Sequence, residues 1–204
     1  MVPKIRWLVG VGLAFALASN SLALSVTRIS SGILLEGEIR AGDFQRVKSS
    51  LDGFGNLPLL LNSPGGRVGE ALQIAELVRS RKLTTHLPAN ATCASACVLI
   101  FAGGVVRTAD RSARIGVHMG SGLLNDEAIQ RIRRVYLKYG AEGAAVVATE
   151  FEQAAAQSVL RQVNFFLASG VSLRLLQLAT SVSHLDVHWL SLSESREFNI
   201  VNAD

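Results

Sequence analysis

The strongest constraint on how this chain folds is a five-residue turn, Asn62-Ser63-Pro64-Gly65-Gly66, set between two apolar segments of different period. Before it, Leu57 to Leu61 is a short continuous apolar run, the pattern of a strand buried on both faces. After it, Val68, Ala71, Leu72, Ile74, Ala75 and Val78 recur at helical spacing. Proline followed by paired glycines marks a tight turn, so the segment predicts a strand that passes almost directly into a helix.

The same unit recurs along the chain. Ile33 to Ile39 reads as a first strand and Asp43 to Leu51 as a helix that starts at an acidic residue after Gly42. Leu83 to Leu87 reads as a strand, Ser95 to Ala102 as an apolar helix stopped by Gly103-Gly104, and Ala113 to His118 as another strand. Strands alternating with helices of this length imply right-handed crossovers and a largely parallel sheet. Beyond Leu124 the character changes: 126–139 and 142–168 are helical, Ala-rich and free of proline, as in a helical projection beyond an α/β core. A short helix follows at Leu173 to Leu178, and Ser193 is read as the N-cap of a last helix that turns Phe198 inward.

Residues 1–23 have the order of parts of a secretory signal peptide. Lys4 and Arg6 form a basic start, Trp7 to Ala18 is an apolar run without an acidic residue, and Ser21-Leu22-Ala23 is a small-x-small cleavage site. An uncleaved anchor is the rival reading, but the run is shorter than the roughly 20 residues that span a bilayer. The expected organisation is a signal peptide over 1–23 and one domain over 24–204, exported to a periplasm or secreted. The formal charge of +4 includes Lys4 and Arg6, so the mature protein is only weakly basic. Arg131, Arg133 and Arg134 lack interleaved aromatic residues and read as a solvated helix face, which argues against nucleic-acid binding.

Export would carry Cys93 and Cys97 into a compartment where disulfides persist. Their spacing reaches disulfide geometry if Cys93 precedes the first helical turn; a bonded pair and two free thiols both stay open. With no His, Asp or Glu nearby, the pair supplies too few ligands for a metal, and no cofactor is expected.

Acyl transfer needs a nucleophile, a base, a group that orients the base, and donors for the developing oxyanion. Ser95, in Cys93-Ala94-Ser95-Ala96-Cys97, falls at a strand-to-helix transition, where free amides such as that of Ala96 face outward. Gly66 supplies a second amide with no Cβ to block the approach of a substrate. His118 ends the strand in Arg114-Ile115-Gly116-Val117-His118 and can emerge at the sheet edge. Taken singly, each has a structural explanation: a serine at a helix start is usually an N-cap, and a lone histidine at a strand end is more often structural.

Together these residues match a pattern. Asn62-Ser63-Pro64-Gly65-Gly66, Ala94-Ser95-Ala96 and Arg114-Ile115-Gly116-Val117-His118 resemble, in that order, the oxyanion turn, nucleophile helix and base strand of the Clp protease proteolytic subunit. The resemblance runs from about Ile33 to Gly120, returns at Trp189 to Val201, and is similar to exported relatives of that family. It implies an α/β fold with a ClpP/crotonase-like repeated ββα core and a helical projection in the C-terminal half. It further implies Ser95 as nucleophile, His118 as general base, and the amides of Gly66 and Ala96 as oxyanion hole.

The chain departs from the family at two places. Met119-Gly120-Ser121-Gly122 stands where a proline follows the histidine. Registering Trp189-Leu190-Ser191 on the family's tail motif puts Val187 at the acidic position, with Asp186 one residue away. Asp186 is then either the third catalytic residue, brought in by a bulge, or a surface loop residue. His184 and His188 are substitutes or surface residues, and His86 is structural.

Three functions follow as expectations. The first is an exported serine peptidase acting on peptides or unfolded proteins without ATP or an unfoldase partner, both of which are cytoplasmic. The second is a non-catalytic binding or assembly protein that retains the fold, and the third a crotonase-like acyl-CoA enzyme. In each case the resemblance implies a homo-oligomer formed partly through 126–168.

Overall fold

The computed structural model of the chain describes residues 22–53, 55, 57–120 and 126–203. Residues 1–21 of the expected signal peptide and Ser121-Gly122 of the departure after His118 lie outside the described residues. The chain forms β1 (Ser25–Ile29), β2 (Gly32–Glu36), α1 (Asp43–Leu51), β3 (Leu59–Asn62), α2 (Val68–Ser80), β4 (Thr84–Leu87), β5 (Thr92–Ala94), α3 (Cys97–Gly103), β6 (Val106–Ala109), β7 (Arg114–Val117), α4 (Asp126–Ser169), α5 (Leu173–Ser181), β8 (His188–Trp189) and α6 (Leu192–Glu197).

Two sheets organise these elements. The larger has the order β1-β2-β3-β4-β6, parallel from β2 onward, with β1 antiparallel to β2. The smaller has the order β5-β7-β8, with β5 and β7 parallel and β8 antiparallel. Ser63, in the glycine turn, bridges Cys93 in the middle of β5, so the turn joins the two sheets. The parallel strands are apolar on both faces because helices cover them: Ile33, Leu35, Leu59, Leu61 and Leu87 are almost fully buried, together with Ile74, Ala75 and Val78 of α2.

Helix ends show how local chemistry sets the boundaries. The amides of Gly42 and Phe44 at the start of α1 donate to the Glu70 carboxylate from α2, at 3.1 and 2.9 Å. This satisfies two donors that an unpartnered helix start would leave open. At α6 the N-cap is Ser191 and not Ser193, because Ser191 and Glu194 form a reciprocal capping box. Phe198 is buried behind it. The long helix α4 is broken at Gly140, whose φ of 67° and ψ of −158° are not helical, between the two segments read from sequence.

Arg107 ties the C-terminal parts together. It is 1 % exposed, and its guanidinium donates to the carbonyls of Gly104, Ser169, Asn199 and Ile200. These oxygens lie at the ends of α3 and α4 and just beyond α6, where helical carbonyls lack partners. Burial, and secondarily the charge of Arg79, lower its pKa to about 10.

Candidate functional site

β5 ends at Ala94 and α3 begins at Cys97, leaving Ser95 and Ala96 as the turn between them. Ser95 is half-buried, adopts a φ of 55°, and donates its amide to Gly116 O of β7 at 2.9 Å. Left-handed backbone is uncommon for serine, and here it turns the chain from strand to helix within two residues. A disulfide joins Cys93 to Cys97 around this turn, with Cα atoms 5.2 Å apart.

The glycine turn packs directly on it. A Cβ placed on Gly65 would lie 2.7 Å from Ser95 Cβ and 3.0 Å from Ala96 N, so no larger residue fits there. A Cβ on Gly66 would instead meet Ile39 O at 2.2 Å. Thus Gly65 allows the approach to Ser95, while Gly66 allows the approach to Ile39. The turn is laced in place by Ser63 N to Thr92 O at 2.7 Å, Ala94 N to Ser63 O at 3.0 Å and Ile39 N to Gly65 O at 2.7 Å. Among the described residues no acceptor meets the amides of Gly66 and Ala96.

His118 follows β7 and is half-buried. Its Nδ1 lies 2.9 Å from Met119 O. A carbonyl only accepts, so Nδ1 carries the proton, and in the neutral ring Nε2 is left with a lone pair. Gly116 pairs with Trp189 and Val117 with His188, and one further step in that register would set Val187 against His118. Val187 also points to the face that His118 shares with Gly116, since a Cβ on Gly116 would lie 2.6 Å from Val187 Cγ1. An apolar side chain therefore occupies the position across from the imidazole.

The structure does not bring Asp186 to His118. Asp186 is exposed in a turn, with its amide donating to Ser183 O at 3.0 Å and its carboxylate accepting from Val187 N at 2.8 Å. The antiparallel register explains this, because neighbouring residues of a strand face opposite ways. His188 is also committed elsewhere, with Nε2 3.0 Å from Glu194 Oε1. His86 Nδ1 lies 2.8 Å from Thr108 Oγ1 across β4 and β6.

Ser95 and His118 line one small cavity of about 50 Å³, without a hydrogen bond between their side chains. Val68, Val98 and Val117 form its floor, Gln162 and Phe166 reach it from α4, and Leu175, Leu176 and Ala179 from α5. No motif marks the residues contributed by α4 and α5; the sequence signal is a four-residue spacing, Gln162 to Phe166 and Leu175 to Ala179, which puts each pair on one helix face. A larger cavity of about 310 Å³, between β6, β7 and the tail, contains neither Ser95 nor His118. The smaller one is the candidate site, because Ser95 and His118 both line it.

The fold and this site define an α/β protein with a peptidase-like core. A family model described as Clp protease matches residues 47–157, more than half of the chain, and the chain belongs to the Clp protease family. It is similar in structure to a mutant of ClpP1 from Listeria monocytogenes, with a TM-score of 0.52 and 20% identity, over 84% of this chain and 89% of that one. At that identity the likeness establishes the fold, a ClpP/crotonase-like core. No curated protein matches the sequence.

Proposed function

We propose that this chain is a serine peptidase that works with a Ser95–His118 dyad in which a backbone carbonyl takes the place of the acid. The observation that carries this reading is the left-handed turn at Ser95, pressed against the glycine turn and sharing a cavity with His118. Ser95 Oγ would attack the scissile carbonyl while His118 Nε2 takes its proton. The oxyanion would be met by the amides of Gly66 and Ala96, and the proton would pass to the leaving amine before water releases the acyl group. Met119 O holds the ring in the required tautomer. The separation of Ser95 and His118 without substrate does not oppose this, since catalytic contacts often tighten only in the Michaelis complex. Apolar walls from α4 and α5 favour an apolar side chain beside the scissile bond.

Support for work outside the cytoplasm comes from the leader sequence and from the Cys93–Cys97 disulfide, a bond that persists in oxidising compartments. There the enzyme would act on peptides or loosely folded chains without ATP. Exposed Tyr136, Leu137, Tyr139, Val146 and Leu160 on α4 favour assembly of copies through the projection.

A fluorophosphonate probe tests the proposal. Wild-type protein is expected to be labelled and Ser95→Ala protein not; absence of wild-type labelling beside a labelled control hydrolase would sink it. One observation favours a second reading, a non-catalytic binding protein: Val187 shares the face of His118 and, among the described residues, no carboxylate bonds to the ring. That reading predicts no labelling and no peptide hydrolysis, with the Ser95 cavity still binding peptide.

A further inference from the structure

We infer that the Cys93–Cys97 disulfide is a positioning element, which holds Ser95 in its left-handed conformation and thereby directs its hydroxyl into the cavity with His118. The inference concerns how the nucleophile is aimed and rests on reading Ser95 as that nucleophile.

Among the described residues, four non-glycine residues have positive φ: Lys82, Asn90, Ser95 and Asn199. Asn90 and Asn199 belong to the residue type that best tolerates this region. Lys82 and Asn199 each follow the capping residue of a helix, Arg81 of α2 and Phe198 of α6, where left-handed backbone is common. Ser95 has neither justification. It precedes a helix, and serine pays the usual steric penalty there. Its neighbours must impose the conformation.

The disulfide is placed to do so. Ser95 is the middle residue of the three that it spans. Fully extended, the chain from residue 93 to residue 97 would cover about 13 Å, yet the bond holds the two Cα atoms at 5.2 Å. The bond therefore keeps Ala94-Ser95-Ala96 in a compact turn. Both ends are immobile: Cys93 pairs with Ser63 and Ile115, and Cys97 opens a helix in which every residue is buried. Both cysteines are themselves 0 % exposed. With its ends anchored, the cross-link opposes relaxation of the turn.

The test is the Cys93→Ala/Cys97→Ala double variant compared with wild type in two independent readouts. The first is the φ of Ser95, from a crystal structure or from its ¹³Cα and ¹³Cβ shifts; the second is the rate of fluorophosphonate labelling. We expect φ to become negative and labelling to slow at least about tenfold, which is the range lost when a reacting group is misplaced. A variant that keeps positive φ, or is labelled within twofold of wild type, overturns the inference. If wild type is not labelled but φ relaxes in the variant, the positioning role stands and the nucleophile reading falls. Should the double variant fail to fold, Ser95→Gly is added to it, since glycine adopts positive φ without strain. Recovery of folding supports the inference, and failure to recover overturns it.

Discussion

The two halves of the site are held by very different means. On the nucleophile side, the Ser95 turn is fixed by a disulfide, by the Gly65 approach and by hydrogen bonds to β7 and the glycine turn, all next to the core. On the base side, among the described residues the His118 ring has one hydrogen-bond partner, the carbonyl of the next residue, and β8 beside it is a strand of only two residues. One half is over-determined and the other barely constrained. An enzyme of this kind would present its nucleophile ready-made and leave the base to be ordered by substrate.

The largest expected effect comes from breaking the rigid half. Gly65→Ala places a Cβ 2.7 Å from Ser95 Cβ at a residue whose φ is 102°. Overpacking and backbone strain together should cost about 2–4 kcal/mol, read as a lower urea midpoint at unchanged slope. Labelling of Ser95 should fall roughly 100-fold in the fraction that folds. A tolerated alanine would mean that the turn is softer than its contacts imply.

Next in size is a change that strengthens the weak half. Val187→Asp puts a carboxylate on the face shared with His118, where it competes with Met119 O for Nδ1–H. The acid of a complete triad is worth up to roughly 10⁴ in rate, so even an unrefined placement should raise peptide hydrolysis about tenfold. The pH profile gives an independent sign. A nearby anion favours the imidazolium and raises the histidine pKa, and the base must be neutral to act, so the acidic limb of kcat/KM should move to higher pH. An unchanged profile would show that the carboxylate does not reach the ring.

The same contrast separates what the sequence makes legible from what it does not. The glycine turn, α1, α2 and the strands β2, β3, β4 and β7 follow from local signals, because apolar period and turn chemistry act over a few neighbouring residues. Ser95 and His118 are visible in the same way, as residues at the ends of such elements. β1 leaves no such signal: mostly exposed on a sheet edge, it carries little apolar pattern. β5, β6 and β8, of three, four and two residues, are too short to show a period. Asp186 and Val187 could not be told apart by residue type, since a one-residue step in register exchanges the two faces of a strand. Nor does the linear chain announce that Arg107 gathers carbonyls from three helix ends, because those oxygens meet only after the tail docks.

The smallest effect concerns what keeps β8 in register. The Ser191 amide and hydroxyl, with His188 behind them, hold the Glu194 carboxyl below its usual range, and this capping box fixes the turn that follows β8. Ser191→Ala should cost about 1 kcal/mol at neutral pH. A depressed carboxylate pKa contributes stability that is present above the unfolded value and disappears as pH falls through the folded one. The stability gap between wild type and Ser191→Ala should therefore be full at pH 7 and shrink on acidification through the carboxylate range, in urea titrations run at each pH. If β8 governs the base, peptide hydrolysis should weaken in this variant while the crystallographic φ of Ser95 stays unchanged. A movement of Ser95 would instead mean that the two halves are mechanically coupled through β7, which pairs with both β5 and β8.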